Sequence, residues 1–148
     1  MRENTYNGSP INSVPSFIAP KAADEQYPLR MLVTKSHGFL NSQYANEQHK
    51  LSAQGEQKVI IHPDDALEFG IKNESFVRLS NENGCLDAIA IVSDRTTAGT
   101  LVSSFGYWRS LEGGGLANSL TATSAPGFAG TPAYYDTFVA IEMSSSSN

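Results

Sequence analysis

Three short polar segments hold the side chains with most scope for binding chemistry. The first is Thr34-Lys35-Ser36-His37-Gly38-Phe39-Leu40-Asn41-Ser42, which gathers hydroxyls, an amide, an imidazole and one cation directly after an apolar run. Such a set of directed donors and acceptors suits a heterocycle that carries phosphates. The second is His62-Pro63-Asp64, placed where a helix is predicted to begin. A polar side chain there can cap the helix, and a carboxylate there meets its positive dipole end. The third is Asn118-Ser119-Leu120-Thr121, inside a long stretch without periodicity. Long loops in compact domains are where binding residues concentrate. Each segment taken alone reads more readily as a solvated loop or a helix cap.

Other chemistries lack their residues. The three histidines, His37, His49 and His62, stand in unrelated contexts, with no HExxH spacing and no His/Cys cluster. No GxSxG elbow and no GxGxxG fingerprint occurs, and Gly113-Gly114-Gly115 is not followed by a helix-forming run. The single cysteine, Cys85, can build neither an internal disulfide nor an iron–sulfur or thiolate zinc site, and reads as a small buried apolar residue. A net charge of −5 argues against a duplex nucleic-acid partner and against an anionic membrane surface. It leaves room for a ligand with a few phosphates, which backbone N–H groups can hold. No apolar run reaches the ~18 residues of a membrane helix, and Met1-Arg2-Glu3-Asn4-Thr5-Tyr6 lacks the apolar core of a signal peptide. The expected location is cytoplasmic, or periplasmic if the complete protein carries an export signal.

The elements that must position these segments follow from patterning. Residues 1–26 mix Asn, Ser, Pro and Gly without periodicity and read as a disordered tail or interdomain linker; 143–148 read as a polar tail. The folded part is 27–142, one domain. Leu29 to Thr34 and Lys58 to Ile61 are short apolar runs, consistent with buried strands. Pro63 through Gly70 predicts one helix of about two turns, with Pro in the first turn, Asp64 and Asp65 favouring the dipole, and Gly70 at the end. Ser75 to Ser80 alternates as a half-buried strand, Asn83-Gly84 signals a hairpin, and Cys85 to Val92 returns antiparallel. Thr100 to Val102 is another strand. Ser103 to about Pro132 is irregular, and Thr137 to Ile141 is the last strand. Several short strands, one hairpin and a short helix predict a small, mainly β barrel.

Taken together and in order, these segments resemble a known family. Phe39-Leu40-Asn41-Ser42, then Gly55-Glu56, then Ile61-His62-Pro63-Asp64-Asp65-Ala66 with Gly70-Ile71, then Val77-Arg78-Leu79-Ser80-Asn81, are similar to the C-terminal dinucleotide-binding domain of molybdopterin oxidoreductases. That family includes formate dehydrogenases, nitrate reductases and dimethyl sulfoxide reductase. Trp108, Gly113-Gly114, Asn118-Ser119-Leu120-Thr121, Tyr134-Tyr135-Asp136-Thr137, Val139 and Ile141-Glu142 continue the likeness, which covers about Tyr27 to Glu142 and is nearest to formate-dehydrogenase-like members.

The resemblance implies a six-stranded double-psi β-barrel with short helices, closing over a bis-molybdopterin guanine dinucleotide that carries molybdenum or tungsten. It implies that Thr34, Lys35, Ser36, His37, Asn41 and Ser42 face the cofactor. It places His62 and Asp64 near a guanine, Asn118 and Thr121 at a pterin or its phosphate, and Tyr134 and Tyr135 flanking it. Many members have Arg where Lys35 stands, a basic residue where Tyr135 stands, and an acidic residue in the stretch that here runs from Ala122 to Gly130 without one. The family's metal ligand and iron–sulfur cysteines belong to upstream domains, so the chain alone is expected to be inactive, with no metal site or iron–sulfur cluster of its own. Its expected partners are the upstream domains, or a catalytic subunit, of the same oxidoreductase. Two other readings stand beside this one: a free-standing accessory or carrier subunit with the same barrel, and a hydrolase or decarboxylase on a similar fold. The last needs a nucleophile–base pair that the sequence does not offer.

Overall fold

The computed structural model describes residues 5–6, 9–10, 17, 19–40, 43–108, 116–121 and 134–144. The expected tail carries one small ladder: β1 (Thr5–Tyr6) and β2 (Ser9–Pro10) pair antiparallel. Nearer the barrel, the Asp24 carboxylate accepts from the N–H groups of Gln26 and Tyr27 at 3.0 and 2.7 Å. The Arg30 guanidinium donates to the Lys21 carbonyl at 3.3 Å. The last residues of the stretch are thus fastened to the first long strand.

Six further strands follow in chain order: β3 (Leu29–Lys35), β4 (Lys58–Ile61), β5 (Phe76–Asn81), β6 (Gly84–Val92), β7 (Thr100–Phe105) and β8 (Phe138–Met143). They close into a barrel in the order β3-β7-β4-β6-β5-β8. The pairs β3/β7 and β4/β6 are parallel and the other neighbours antiparallel. The mainly β, six-stranded barrel expected from the sequence is the fold observed. Closure leaves no unpaired barrel edge to cover. The interior follows from alternation: Val77 and Leu79 on β5, Leu86, Ala88 and Ala90 on β6, and Met31, Val59, Ile61, Leu101 and Val139 all turn inward and are buried. Each large member contributes roughly 1.5–3 kcal/mol by leaving water. The same alternation corrects one expectation. Cys85 is exposed, because Leu86 takes the inward position beside it.

The hairpin between β5 and β6 is offset by one residue from the Asn83-Gly84 signal. Asn81 pairs with Gly84, so Glu82 and Asn83 form the two-residue loop. The Asn81 side chain decides this: its Oδ1 accepts the Asn83 N–H at 2.9 Å. Its Nδ2 donates to the carbonyls of Leu120 and Phe138 at 2.7 and 3.1 Å, tying the hairpin to two distant segments. Gly84 is a glycine for close approach, since a Cβ there would lie 2.9 Å from the Ser119 carbonyl oxygen.

Among the described residues two α-helices accompany the barrel, α1 (Gln48–Gln54) and α2 (Pro63–Glu68). The second lies where Pro63, the two aspartates and Gly70 placed it, and Gly70 adopts the expected positive φ of 65° just past its end. The first was not legible, for it buries no residue and has no side-chain cap. β7 runs three residues further than its apolar run suggested, to Phe105, and a 3-10 turn spans Ala117–Ser119. Residues 109–115 and 122–133, with the glycine-rich parts of the expected long loop, lie outside the described residues, as do Asn41 and Ser42.

Candidate functional site

Strand directions decide which polar segments can meet. β3 runs parallel to β7, from Arg30 beside Thr100 to Lys35 beside Phe105. β4 runs antiparallel to β7, with Val59 opposite Ser103 and Ile60 opposite Val102. The chain therefore leaves β3 at Lys35 on one end of the barrel and leaves β4 at His62 on the other.

At the first end, Gly106 turns the chain at a φ of 111° as β7 finishes. Tyr107 is buried. Its hydroxyl donates to the Glu56 carbonyl at 3.1 Å, and its ring meets Phe39 edge-to-face at 5.2 Å. Burial pushes the Tyr107 phenol above its ordinary value, outweighing a hydrogen bond from Gln54 that lowers it. Phe39, Ala45 and Tyr107, with Leu51 of α1 against them, form a small second core. That core brings the loop after β3 back to the barrel. Near the end of β3 the Thr34 hydroxyl donates to the Ser103 carbonyl at 3.3 Å, and within the loop Ser36 Oγ accepts the Gly38 N–H at 3.2 Å. Lys35 and His37 are exposed.

Beside this loop opens a cleft of about 430 Å³. Val33 and Phe105 form part of its wall, with Trp108, Asn118, Thr121, Tyr134 and Tyr135 around them. Each wall is held from beneath. The 3-10 turn that carries Asn118 is fixed by fully buried Leu120 and by the Asn81 amide on its carbonyl. The Tyr134–Tyr135 turn is fixed by Thr137, which is buried. Its hydroxyl donates to the Tyr134 carbonyl at 3.0 Å, and its carbonyl accepts the Met31 N–H at 2.9 Å. Tyr134 and Tyr135 nevertheless stay 58% and 62% exposed, and Trp108 38%. Three aromatic faces around a concave site, with an amide and hydroxyls between them, make a stacking-and-hydrogen-bonding pocket for a planar polar heterocycle.

The structure thus brings Asn118, Thr121, Tyr134 and Tyr135 together in one cleft and sets Thr34, Lys35, Ser36 and His37 at the same end of the barrel. It is Val33, however, and not those four, that lines the cleft. Asn41 and Ser42 lie outside the described residues. His62 and Asp64 are at the far end. There the His62 Nδ1 accepts the Asp64 N–H at 3.2 Å and caps α2. While it does so, the 3.5 Å approach of an Asp64 carboxylate oxygen to the same nitrogen is no ion pair. The neighbouring Asp65, read from sequence only as dipole support, is buried, and both its carboxylate oxygens accept the Gly99 N–H, at 2.8 and 3.1 Å. Among the described residues no three of His, Cys, Asp or Glu gather into a metal-holding group.

The family described as "Molydopterin dinucleotide binding domain" matches residues 29–138. The chain belongs to that family. This dinucleotide-binding domain is 28% identical over 124 residues to the probable oxidoreductase YoaE of Bacillus subtilis (strain 168), covering 83% of this chain and 18% of that protein. It is 31% identical over 110 residues to trimethylamine-N-oxide reductase of Haemophilus influenzae, covering 73% of this chain and 13% of that one. Its fold is shared with acetylene hydratase from Pelobacter acetylenicus, at a TM-score of 0.69 and 15% identity, over 78% of this chain and 18% of that one. The domain therefore spans less than a fifth of the relatives it matches. The cofactor that family membership assigns is a molybdopterin dinucleotide, the guanine form with molybdenum in the complete enzyme. The formate-dehydrogenase-like character expected from the sequence finds no support in these relatives.

The donor set fits such a group. Asn118 and Thr121 can both donate and accept, the tyrosines add hydroxyls on flat rings, and Lys35 supplies a cation at the same end for a phosphate. The volume suits one heterocycle with its nearest substituents, not an entire dinucleotide.

Proposed function

We propose that this chain is the cofactor-binding domain of a larger molybdenum oxidoreductase, and that it holds the cofactor at the cleft between the ends of β3 and β7 and the Tyr134–Tyr135 turn. The supporting observation is the convergence there of exposed aromatic faces and unburied hydrogen-bonding groups on a rigidly underpinned rim. In this reading Asn118 and Thr121 hydrogen-bond the pterin or its phosphate, Tyr134 and Tyr135 flank it, and Thr34 to His37, with Lys35 as the charge, close the phosphate side. When bound, the cofactor supplies the redox centre. The domain supplies affinity, orientation and exclusion of water from one side. The remaining walls, and the metal ligand, come from other domains of the same protein or from a catalytic subunit, and the compartment follows from that larger assembly. No helix among the described residues is long and apolar enough to cross a membrane.

The chain has one tryptophan, and Trp108 is in the cleft wall, so its fluorescence reports on the site. Titration with molybdopterin guanine dinucleotide under exclusion of oxygen should quench it saturably. Tyr135→Ala and Asn118→Ala should each weaken binding by about tenfold, for loss of a stacking face and of a charge-assisted or buried hydrogen bond. Their melting temperatures should stay within a few degrees of the parent. Unchanged affinity in both would move the cofactor away from this cleft.

A further inference from the structure

Gln57 precedes β4 and is 1% exposed. Its side chain fastens the start of β4 to the last residues of β7. Its Nε2 donates to the Ser104 carbonyl at 2.6 Å and to the Ser103 hydroxyl at 2.8 Å, both on β7. Ser103 in turn donates to the Lys58 carbonyl at 3.2 Å, at the start of β4. The Ser103 carbonyl accepts the Thr34 hydroxyl at 3.3 Å, on β3. The orientation of the amide is set by chemistry, since the Ser104 carbonyl can only accept and so requires the nitrogen. The other half of the amide, Oε1, is buried with no partner.

That pattern is costly if Gln57 only fills space. A buried acceptor left unpaired lowers stability, and an apolar side chain of the same shape avoids the loss. What the amide does provide is a fixed attachment for the last residues of β7. The next residues are Phe105, Gly106, Tyr107 and Trp108, all lining the cleft, while the linked Thr34 opens the loop after β3. The β7 wall is therefore held by one side chain that does not itself line the cleft, and the end of β3 leans on the same stretch of β7 through Thr34.

We propose that Gln57 is a positioning residue for the cofactor site, holding the β7 wall and the β3 loop at the separation the cofactor requires. This rests on the cleft being the cofactor site, as proposed above.

The test uses two variants of the full chain and the same fluorescence titration with molybdopterin guanine dinucleotide. Gln57→Met keeps the volume, removes both donors and removes the unpaired acceptor. It should melt close to the parent yet bind about tenfold more weakly, the effect expected when support behind a binding group is lost. Gln57→Glu keeps the shape but, when ionised, faces the Ser104 carbonyl with no proton to donate. Burial raises the pKa of such a carboxyl, so its affinity should be low at alkaline pH, where it ionises, and recover as the pH falls and the carboxyl regains a donor, relative to the parent at each pH. A packing role would not produce that profile. If Gln57→Met fails to fold, the glutamate variant decides by its pH dependence. Affinity equal to the parent in both variants, or a glutamate variant that is equally weak at every pH, overturns the proposal. If the parent chain itself shows no saturable quenching, the cleft assignment fails, and the role of Gln57 with it.

Discussion

The two ends of the barrel carry similar polar residues and use them differently. At the α2 end the groups are spent on the fold: His62 Nδ1 takes the Asp64 N–H, and both oxygens of Asp65 take the Gly99 N–H. At the cleft end the hydrogen bonds of buried Thr137 and half-buried Asn81 are spent on supporting the rim, while the groups above them face outward on the open side. Residue type alone does not distinguish a binding loop from a cap. What distinguishes them is whether the local backbone consumes the side chain's hydrogen-bonding capacity.

The sharpest way to break this comparison is at Asp65. Asp65→Ala removes a buried carboxylate that joins α2 to the turn before β7, and leaves the Gly99 N–H without its acceptor. A hydrogen bond to a charged group is worth about 1.5–3 kcal/mol, with the unsatisfied donor adding to the loss. Unfolding in urea should therefore show a fall of about 2–4 kcal/mol in stability. Cofactor affinity at temperatures where the variant is folded should be unaltered. A stable variant with weakened binding would reverse the roles of the two ends.

Next in size is Gly84→Ala, a change at the α2-remote side that acts through the fold on the cleft. The new methyl would sit 2.9 Å from the Ser119 carbonyl oxygen, and backbone cannot yield as a flexible side-chain tip does. The 3-10 turn must shift, taking Asn118 and Thr121 with it. Overpacking of this kind costs about 1–3 kcal/mol. Here, unlike at Asp65, cofactor affinity should fall together with stability, and denaturant melts run beside the Trp108 titration would show both. Loss of stability with unchanged affinity would separate Asn118 and Thr121 from the cofactor.

Much of this was legible in the sequence where one rule governed a segment. Short apolar runs mark β3 and β4, alternation and a turn signal mark the β5–β6 hairpin, and Pro63, its aspartates and Gly70 mark α2. Asn118 and Thr121 of the third polar segment, and the tyrosine pair, are the residues to which the family resemblance gives a cofactor-facing place, and they line one cleft. What failed to show has physical causes. α1 buries no residue fully and sets only Leu51 against the second core, so no apolar period marks it. β7 extends through Ser103 and Ser104 because a buried glutamine from outside the strand satisfies the polar side of that end. That partnership spans forty-six residues and leaves no local trace. Strand phase, not hydrophobic character, decides the place of Cys85, which is exposed beside inward-facing Leu86. The separation of His62 from the cleft follows only from the antiparallel pairing of β4 with β7, which no single segment encodes.

The smallest expected effect falls on Asp64, where the two readings of the α2 end part. Its carboxylate is 82% exposed and stands in the first turn of a six-residue helix. If it only favours the helix dipole, Asp64→Asn costs about 0.3–1 kcal/mol, and less in high salt, because an exposed charge near a helix end is screened. If it accepts from a guanine, as the family resemblance implies, a charge-assisted pair worth roughly 1.5–3 kcal/mol is lost from binding, at least tenfold in affinity. The geometry supports the first. β3 alone is seven residues long, about 20 Å at ~3.3 Å per residue, and Asp64 stands beyond its starting end while the cleft lies at its finishing end. A ligand touching both must span the barrel. We therefore expect Asp64→Asn to lower the melting temperature by no more than a few degrees and to leave dinucleotide affinity at the parent value. The control is a titration with a pterin lacking the nucleotide. A tenfold loss for the dinucleotide, with none for the bare pterin, would show that the guanine does reach α2 and that this end of the barrel binds as well as folds.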